Sequence, residues 1–219
     1  WTQIGSPIVG EASEDLSGSS ISLSADGSIV AIGAERNNDN GNNSGHVRVF
    51  EYNGVNWIQI GSDINGDSAG AYAGVSVSLN ADGNILAMGA PLGGPNSYGQ
   101  TYIYQNLNGT WVQMGMSING SYSGANFGRS VKLSDDGFTV AVGADSQFSN
   151  NGIYDQGTAS VYEYNGFNWN QIGGTIYDSE NDHLFGYAIS LSADGSIVAV
   201  GARGNNDESG QVKIYELIN

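Results

Sequence analysis

One feature of the sequence limits the possible folds more than any other: a unit of about 56 residues occurs four times in succession. Each copy has a Trp-x-Gln segment, an Asp-Gly pair whose Asp follows 25 residues later, and a Gly-Ala pair 7 residues further on. The three markers stand at Trp1, Trp57, Trp111 and Trp169, at Asp26, Asp82, Asp136 and Asp194, and at Gly33, Gly89, Gly143 and Gly201. Markers kept in one register predict four copies of one supersecondary unit.

Each copy has the pattern of four short strands. In the second copy, residues 74–79 alternate polar and apolar side chains, Asp82-Gly83 follows as a hairpin turn, and residues 84–90 are mostly apolar. Residues 101–105 form a third candidate strand, and the Trp-x-Gln segment forms the fourth. No stretch has a helical period. Four-stranded units repeated at this length predict an all-β fold, a four-bladed β-propeller with antiparallel strands.

The ends of the chain suggest how the ring closes. The fourth copy ends before its own Trp-x-Gln segment, and that segment is found instead at residues 1–5. We therefore expect the N-terminal strand to complete the last blade of a single domain, residues 1–219. The expected blades are residues 18–61, 74–115, 128–173, and 186–217 with 1–5. A window from a longer array is the alternative, and a start at Trp1 rather than Met indicates a piece of a larger precursor.

The repeat resembles the FG-GAP repeat of integrin α-subunit propellers. Phe-Gly occurs at Phe127-Gly128 and Phe185-Gly186, and Gly-Ala-Pro occurs at Gly89-Ala90-Pro91. The resemblance implies a propeller fold and an adhesion or lectin-like role. That family often holds calcium in an Asp-x-Asp-x-Asp-Gly turn, whereas the four turns here carry one or two carboxylates each. Calcium takes 6–8 oxygen ligands, so no cofactor is required by the sequence, and Ca²⁺ binding has no full motif.

Charge excludes several classes of partner. The chain has 22 Asp and Glu residues against 6 Lys and Arg, a formal net charge of -16. Nucleic acids and anionic membrane surfaces repel such a chain, so neither is an expected partner. The sequence has no Cys and no apolar run near the ~20 residues of a membrane span, so we expect no membrane insertion. An extracellular or cell-surface location is the expectation.

Most acidic residues fall in two sets of loops. One set joins the second and third strands of each copy, and the other joins one copy to the next; together they hold 14 of the 22 acidic residues. In an up-and-down blade both sets emerge on the same side, here called the loop rim. Sequence variation on a constant scaffold favours a recognition surface there.

Three interpretations of the loop rim remain open: acidic loops that keep the ring monomeric in solution, a divalent-cation site, and a surface for a protein or glycan ligand. Metal candidates are Asn37, Asp39, Asn205 and Asp207. Tyrosines of these loops offer stacking faces for sugars. Candidate ligand-binding residues are Asp15, Asp39, Asp67, Tyr72, Tyr98, Tyr122, Tyr154, Asp182 and Asp207.

Other repeated residues have structural explanations. The four tryptophans are expected to pack the outer strands, and the glycines of the Gly-Ala pairs mark crowded backbone positions. No catalytic residue can be named, since His46 and His183, the two histidines, lie in different copies. The leading hypothesis is a non-catalytic interaction module; a lectin-like carbohydrate binder and a cation-binding structural module are the alternatives, and a hydrolase is less favoured.

Overall fold

Every copy begins with a hairpin whose turn is fixed by local hydrogen bonds. In the first turn the Asp26 carboxylate accepts hydrogen bonds from Ser24 Oγ at 2.7 Å and from the Ser28 amide at 2.9 Å. Gly27 follows with φ of +73°, a conformation that glycine adopts without strain. Ser192, Asp194 and Ser196 repeat this arrangement in the fourth copy. The sequence Ser-x-Asp-Gly therefore specifies the turn locally.

The computed structural model describes residues 1–145, 157–177, 184–204 and 209–218. These residues form four antiparallel sheets, one for each copy of the repeat. Blade 1 contains β1 (Ser20–Leu23), β2 (Ile29–Ala34), β3 (His46–Tyr52), β4 (Trp57–Gln59) and a short β5 (Ile64–Asn65) that also pairs with β3. Blade 2 repeats this pattern with β6 (Ser76–Leu79), β7 (Ile85–Ala90), β8 (Gln100–Leu107), β9 (Thr110–Gln113) and β10 (Ile118–Asn119).

Blades 3 and 4 vary the pattern at the outer strand. Blade 3 contains β11 (Phe127–Leu133), β12 (Thr139–Ala144), β13 (Thr158–Tyr164) and one long outer strand, β14 (Trp169–Tyr177). Blade 4 contains three described strands, β15 (Phe185–Leu191), β16 (Ile197–Ala202) and β17 (Gln211–Glu216). The architecture is a four-bladed β-propeller, as the repeat predicts.

Helix is nearly absent from the described segments, which contain a single 3-10 turn at Pro95–Ser97 in the loop between β7 and β8. No helix in the described part of the chain has the length and apolar character needed to cross a membrane.

Successive blades are joined through the glycines of the Gly-Ala pairs. A Cβ atom at Gly33 would lie 2.1 Å from the carbonyl oxygen of Gly74 in the next blade, so only glycine fits. Ser20 Oγ donates a 2.6 Å hydrogen bond to that same oxygen. Gly89 with Ser76, and Gly143 with Ser130, repeat the contact at the next two boundaries. The predicted crowding at these three glycines is confirmed.

Three apolar cores lie between neighbouring blades. The core between blades 1 and 2 contains Val47 and Met88, the next contains Phe127 and Val142, and the third contains Phe185 and Val200. Each core draws side chains from both neighbouring sheets, so the blades stabilise one another by burying their facing surfaces.

The contacts between blades stop at the boundary of blade 4 with blade 1, here called the seam. The nearest atoms to a Cβ at Gly201 would be those of Ala188 in its own blade, at 3.6 Å, and a Cβ at Gly27 would meet no atom within 4 Å. Ile21 on blade 1 and Ile214 on blade 4 are 67% and 71% exposed. Within the described residues, the seam has no apolar core like the other three boundaries.

The N-terminal segment differs from the expectation. Residues 1–5 form no strand, do not pair with β17, and lie instead against blade 1, where Ile4 O accepts a 3.2 Å hydrogen bond from Trp57 Nε1. Trp1 is fully exposed, so it does not have the packing role expected of it. The reason is geometric: the seam is open, and a segment held on blade 1 does not reach the outer edge of blade 4.

Candidate functional site

The two sets of variable loops meet on one rim and are hydrogen-bonded to each other. The Gly70 amide, in the loop that joins blades 1 and 2, donates to Asn42 O in the β2–β3 loop at 2.8 Å. One blade later, the Gly124 amide donates to Ser97 O at 3.3 Å. The loop rim is therefore one connected surface across the first two blades rather than a set of separate loops.

A buried polar pair supports this surface from below. Asp15 and Asn37 are 1% and 2% exposed, and Asn37 Nδ2 donates to Asp15 Oδ2 at 3.1 Å. The same carboxylate accepts the Ala12 amide, and Asn37 Oδ1 accepts the Asp39 amide. Asp15, a candidate ligand-binding residue, and Asn37, a candidate metal ligand, are thus taken up in holding the loops. Neither carries the expected contact with a ligand, because both side chains are buried and turned inward.

Beside this pair, four side chains of blade 1 converge. One potential ligand atom from each of Glu11, Asp39, His46 and Asp63 lies within 4.8 Å of the others. Glu11 comes from the segment before β1, Asp39 from the β2–β3 loop, His46 from the first position of β3, and Asp63 from the position before β5. Four separate stretches of blade 1 therefore meet at one point of the loop rim.

The imidazole of His46 lies at the bottom of this cluster and is 1% exposed. Its Nδ1 has no hydrogen-bond partner and lies 3.8 Å from Glu11 Oε2. Burial lowers the pKa of His46, although the carboxylates of Asp63 and Glu11 act in the opposite direction. The imidazole is therefore neutral at pH 7, and a ring nitrogen has a free lone pair to offer.

Arg48 is the cation beside the cluster. Its Nη1 lies 3.6 Å from Glu11 Oε1, and its Nη2 donates a 2.7 Å hydrogen bond to Val9 O. Arg48 is 7% exposed and stacks over the Phe50 ring, with 5.4 Å between the guanidinium carbon and the ring centroid. The guanidinium thus holds the segment that carries Glu11 in position over blade 1.

The same positions of blade 2 carry uncharged residues that satisfy one another. Gln100, the first residue of β8, occupies the register position of His46, since the two pair with Ala90 and Ala34. Its Nε2 donates to Asn119 Oδ1 at 2.7 Å, and its Oε1 accepts a hydrogen bond from Tyr102. The charged cluster is a property of blade 1 rather than of the repeat.

The remaining candidate residues are spread along the rim. Tyr72, Tyr98 and Tyr122 are half-buried, while Asp39 and Asp67 are exposed. Burial and the neighbouring Asp67 carboxylate raise the pKa of Tyr104 to about 12. Of these residues, the structure brings only Asp39 into the cluster. Four candidates lie outside the described residues: Tyr154, Asp182, Asn205 and Asp207.

The residues that sequence reasoning missed are Glu11, His46 and Asp63. The usable signal was the register: in the four copies, the residue 13 positions after the Gly of the Gly-Ala pair or slightly earlier begins the third strand, and only the first copy has an ionisable ring there. The approach of Glu11 and Asp63 could not be read from spacing, since it depends on how neighbouring loops fold against each other.

A second feature missed by sequence reasoning is a cationic stack at the boundary of blades 3 and 4. The guanidinium carbons of Arg129 and Arg203 lie 4.7 Å and 4.4 Å from the Tyr187 ring centroid. Arg129 Nε also lies 3.5 Å from Asp145 Oδ2. Burial raises the pKa of Asp145, and the Arg129 charge opposes that shift. These contacts join the two blades and involve two of the 6 basic residues of the chain.

Comparisons with known proteins support the fold. No protein-family model matches the chain, and no curated protein sequence matches it significantly. Among solved structures it is similar to hydrazine synthase of Kuenenia stuttgartiensis, with a TM-score of 0.58 and 14% identity. That match covers 96% of this chain and 49% of the other, so the chain spans about half the length of that protein. At this identity the likeness shows a shared fold and carries no activity with it. The FG-GAP resemblance stays a prediction.

Proposed function

We propose that the chain is a non-catalytic interaction module, at an extracellular or cell-surface location, that binds a basic protein partner through its loop rim. The observation that supports this proposal is the hydrogen bonding between the two sets of variable loops, as in the pair Gly70 and Asn42. Loops held in this way lose little conformational entropy when a partner binds, which favours recognition.

Charge gives the partner its chemistry. Glu11, Glu14, Asp39 and Asp67 are exposed on the rim, while Arg36 is an exposed cation among them. A surface with this balance attracts a Lys- or Arg-rich partner over long range and accelerates the encounter. Catalysis is not part of the proposal, because Asp15 and Asn37 are already used to hold the loops.

A peptide display selection tests the proposal. The immobilised chain is offered a random peptide library, and we expect the selected peptides to be rich in Lys and Arg. The double variant Asp39→Asn/Asp67→Asn should weaken binding of a selected peptide by about 10-fold, since each lost charge removes part of the attraction. Raising the salt concentration should weaken the parent chain more than the variant.

Asp82→Asn is the matched control, because Asp82 is exposed on the hairpin turns of the opposite rim. This variant removes one charge and should leave peptide binding unchanged. Selected peptides with no basic bias, or equal weakening by the Asp82 variant, would show that the loop rim is not the binding surface. The glycan alternative stays a prediction, and the same variants test it on a glycan array.

A further inference from the structure

The charged cluster of blade 1 combines a buried ring nitrogen that lacks a partner with three carboxylates. Potential ligand atoms of Glu11, Asp39, His46 and Asp63 lie within 4.8 Å of one another, and His46 Nδ1 has no hydrogen-bond partner. We propose that these four side chains bind one divalent transition-metal ion on the loop rim. This site is separate from the hairpin turns on the opposite rim, and it goes beyond the partner binding proposed above.

The arrangement is otherwise unfavourable. A buried imidazole nitrogen without a partner costs about 1–3 kcal/mol relative to one that is hydrogen-bonded. Three carboxylates so close together repel one another, and Arg48 contacts only Glu11 among them. With His46 neutral, the three carboxylates and the guanidinium leave two net negative charges. A divalent cation removes this excess and gives the ring nitrogen a partner.

The set of ligand atoms indicates the class of metal. One imidazole nitrogen with carboxylate oxygens suits Zn²⁺, Mn²⁺ or Co²⁺, for which histidine is a common ligand. Calcium takes 6–8 oxygens and does not use imidazole, so this set of three carboxylates does not suit it. The ion would lie near the exposed side of the cluster, since Glu11 and Asp39 are exposed and His46 is buried beneath them.

Blade 2 shows that the repeat does not need this cluster in order to fold. At the register position of His46 it carries Gln100, whose amide is bonded to Asn119 and Tyr102. A serine, Ser117, stands 54 residues after Asp63 at the corresponding place before β10, and it accepts from Gln100 at 3.3 Å. The scaffold therefore accepts neutral residues here, which makes the charges of blade 1 specific to that blade.

Metal titration of the purified 219-residue chain tests the proposal. After treatment with chelator, calorimetry with Zn²⁺, Mn²⁺ and Ca²⁺ in separate runs should show one saturable equivalent of a transition metal and far weaker Ca²⁺ binding. Co²⁺ should develop visible absorption bands on binding. No partner is present in these measurements, so their failure would leave the proposed function of the loop rim intact.

The decisive variant is His46→Gln, which introduces the residue that blade 2 already carries at this position. We expect its transition-metal affinity to fall by about 10-fold or more and the Co²⁺ bands to change, with little change in melting temperature without metal. Glu11→Gln is a second test, because Glu11 is exposed and its loss leaves the core intact. Asp67→Asn is the matched control and should bind as tightly as the parent chain.

Two results would overturn the proposal. One is the absence of saturable binding of a transition metal at one equivalent. The other is equal affinity in the parent chain, His46→Gln and Glu11→Gln, which would mean that the ion is held by surface carboxylates elsewhere.

Discussion

Single glycines decide whether two blades can lie against each other. At three boundaries, the Gly of the Gly-Ala pair faces a carbonyl oxygen of the next blade, and the hydroxyl of a nearby serine bonds the same oxygen. Any side chain there would push the next sheet away. Gly201 occupies the equivalent place in blade 4 and has no such neighbour among the described residues.

This difference predicts opposite outcomes for two identical substitutions. In Gly89→Ala the new Cβ would lie 1.9 Å from Gly128 O, so the blades must separate, and we expect the free energy of unfolding to fall by about 3 kcal/mol. In Gly201→Ala the nearest atoms are 3.6 Å away, and we expect a change within about 0.5 kcal/mol. Urea denaturation measures both. Equal losses would mean that blade 4 also faces a neighbour.

The carboxylates of the hairpin turns make stability depend on pH. Hydrogen bonds from Ser28 and Ser24 lower the pKa of Asp26 from 3.8 to about 2, and those from Ser192 and Ser196 do the same for Asp194. The charged form is favoured in the folded state, so its contribution is complete above pH 4 and is lost as the pH falls toward 2.

We expect the double variant Asp26→Asn/Asp194→Asn to have a urea midpoint that falls less than that of the parent chain between pH 5 and pH 2.5. The two chains should differ most at pH 5 and converge at the acid end. A parallel decrease in both chains would show that these turns do not contribute to the acid sensitivity.

At the scale of elements, the outer strand of one blade is held by the tryptophan of the next. Trp111 Nε1 donates to Ile60 O at 2.9 Å, and Trp169 Nε1 donates to Met114 O at 2.8 Å. The expected packing role is confirmed for both residues, which are partly and fully buried. Their indole nitrogens add a hydrogen bond between blades that composition and spacing did not suggest.

The contribution of this bond can be measured by comparing two tryptophans. Trp169→Phe removes a buried donor and leaves Met114 O without it, so we expect a loss of about 2–3 kcal/mol. Trp57→Phe removes an exposed 3.2 Å hydrogen bond to Ile4 O and should cost less than about 1 kcal/mol. Urea denaturation of both variants gives the comparison, and equal losses would contradict the role assigned to burial.

Strands and turns could be predicted because their signals are local. The Asp-Gly turn and the alternation beside it define β1, β2 and their repeats wherever they occur. The short strands β5 and β10 were missed, since each has two residues and pairs with a strand that already has a neighbour. The cluster around His46 was missed for a related reason: its members come from four stretches whose approach depends on the folded loops.

At the scale of the whole molecule, the seam changes the expected effect of a deletion. If residues 1–5 completed blade 4, their removal would strongly destabilise the ring. In the structure Trp1 and Ile4 are exposed, and the segment contributes one exposed hydrogen bond, to Trp57. We therefore expect deletion of residues 1–5 to lower the free energy of unfolding by less than about 1 kcal/mol.

Thermal and urea denaturation of the truncated chain measure this effect. A loss of several kcal/mol would instead support a closed ring in which the segment pairs with β17. Deletion of residues 60–64, which form the corresponding stretch after β4 and include the buried Ile64, should be strongly destabilising and serves as the comparison.

The open side of blade 4 also gives the molecule a direction in which it can grow. A duplicated repeat placed after β17 would meet Gly201, which has room for a neighbouring carbonyl, and a groove between Ile172 and Tyr215 that can receive the next tryptophan. Ala188 stands where the other blades have the serine that bonds the following blade, so a change to serine would supply that missing bond. Gene duplication could thus lengthen the array by one blade while the contacts of the existing blades stay as they are.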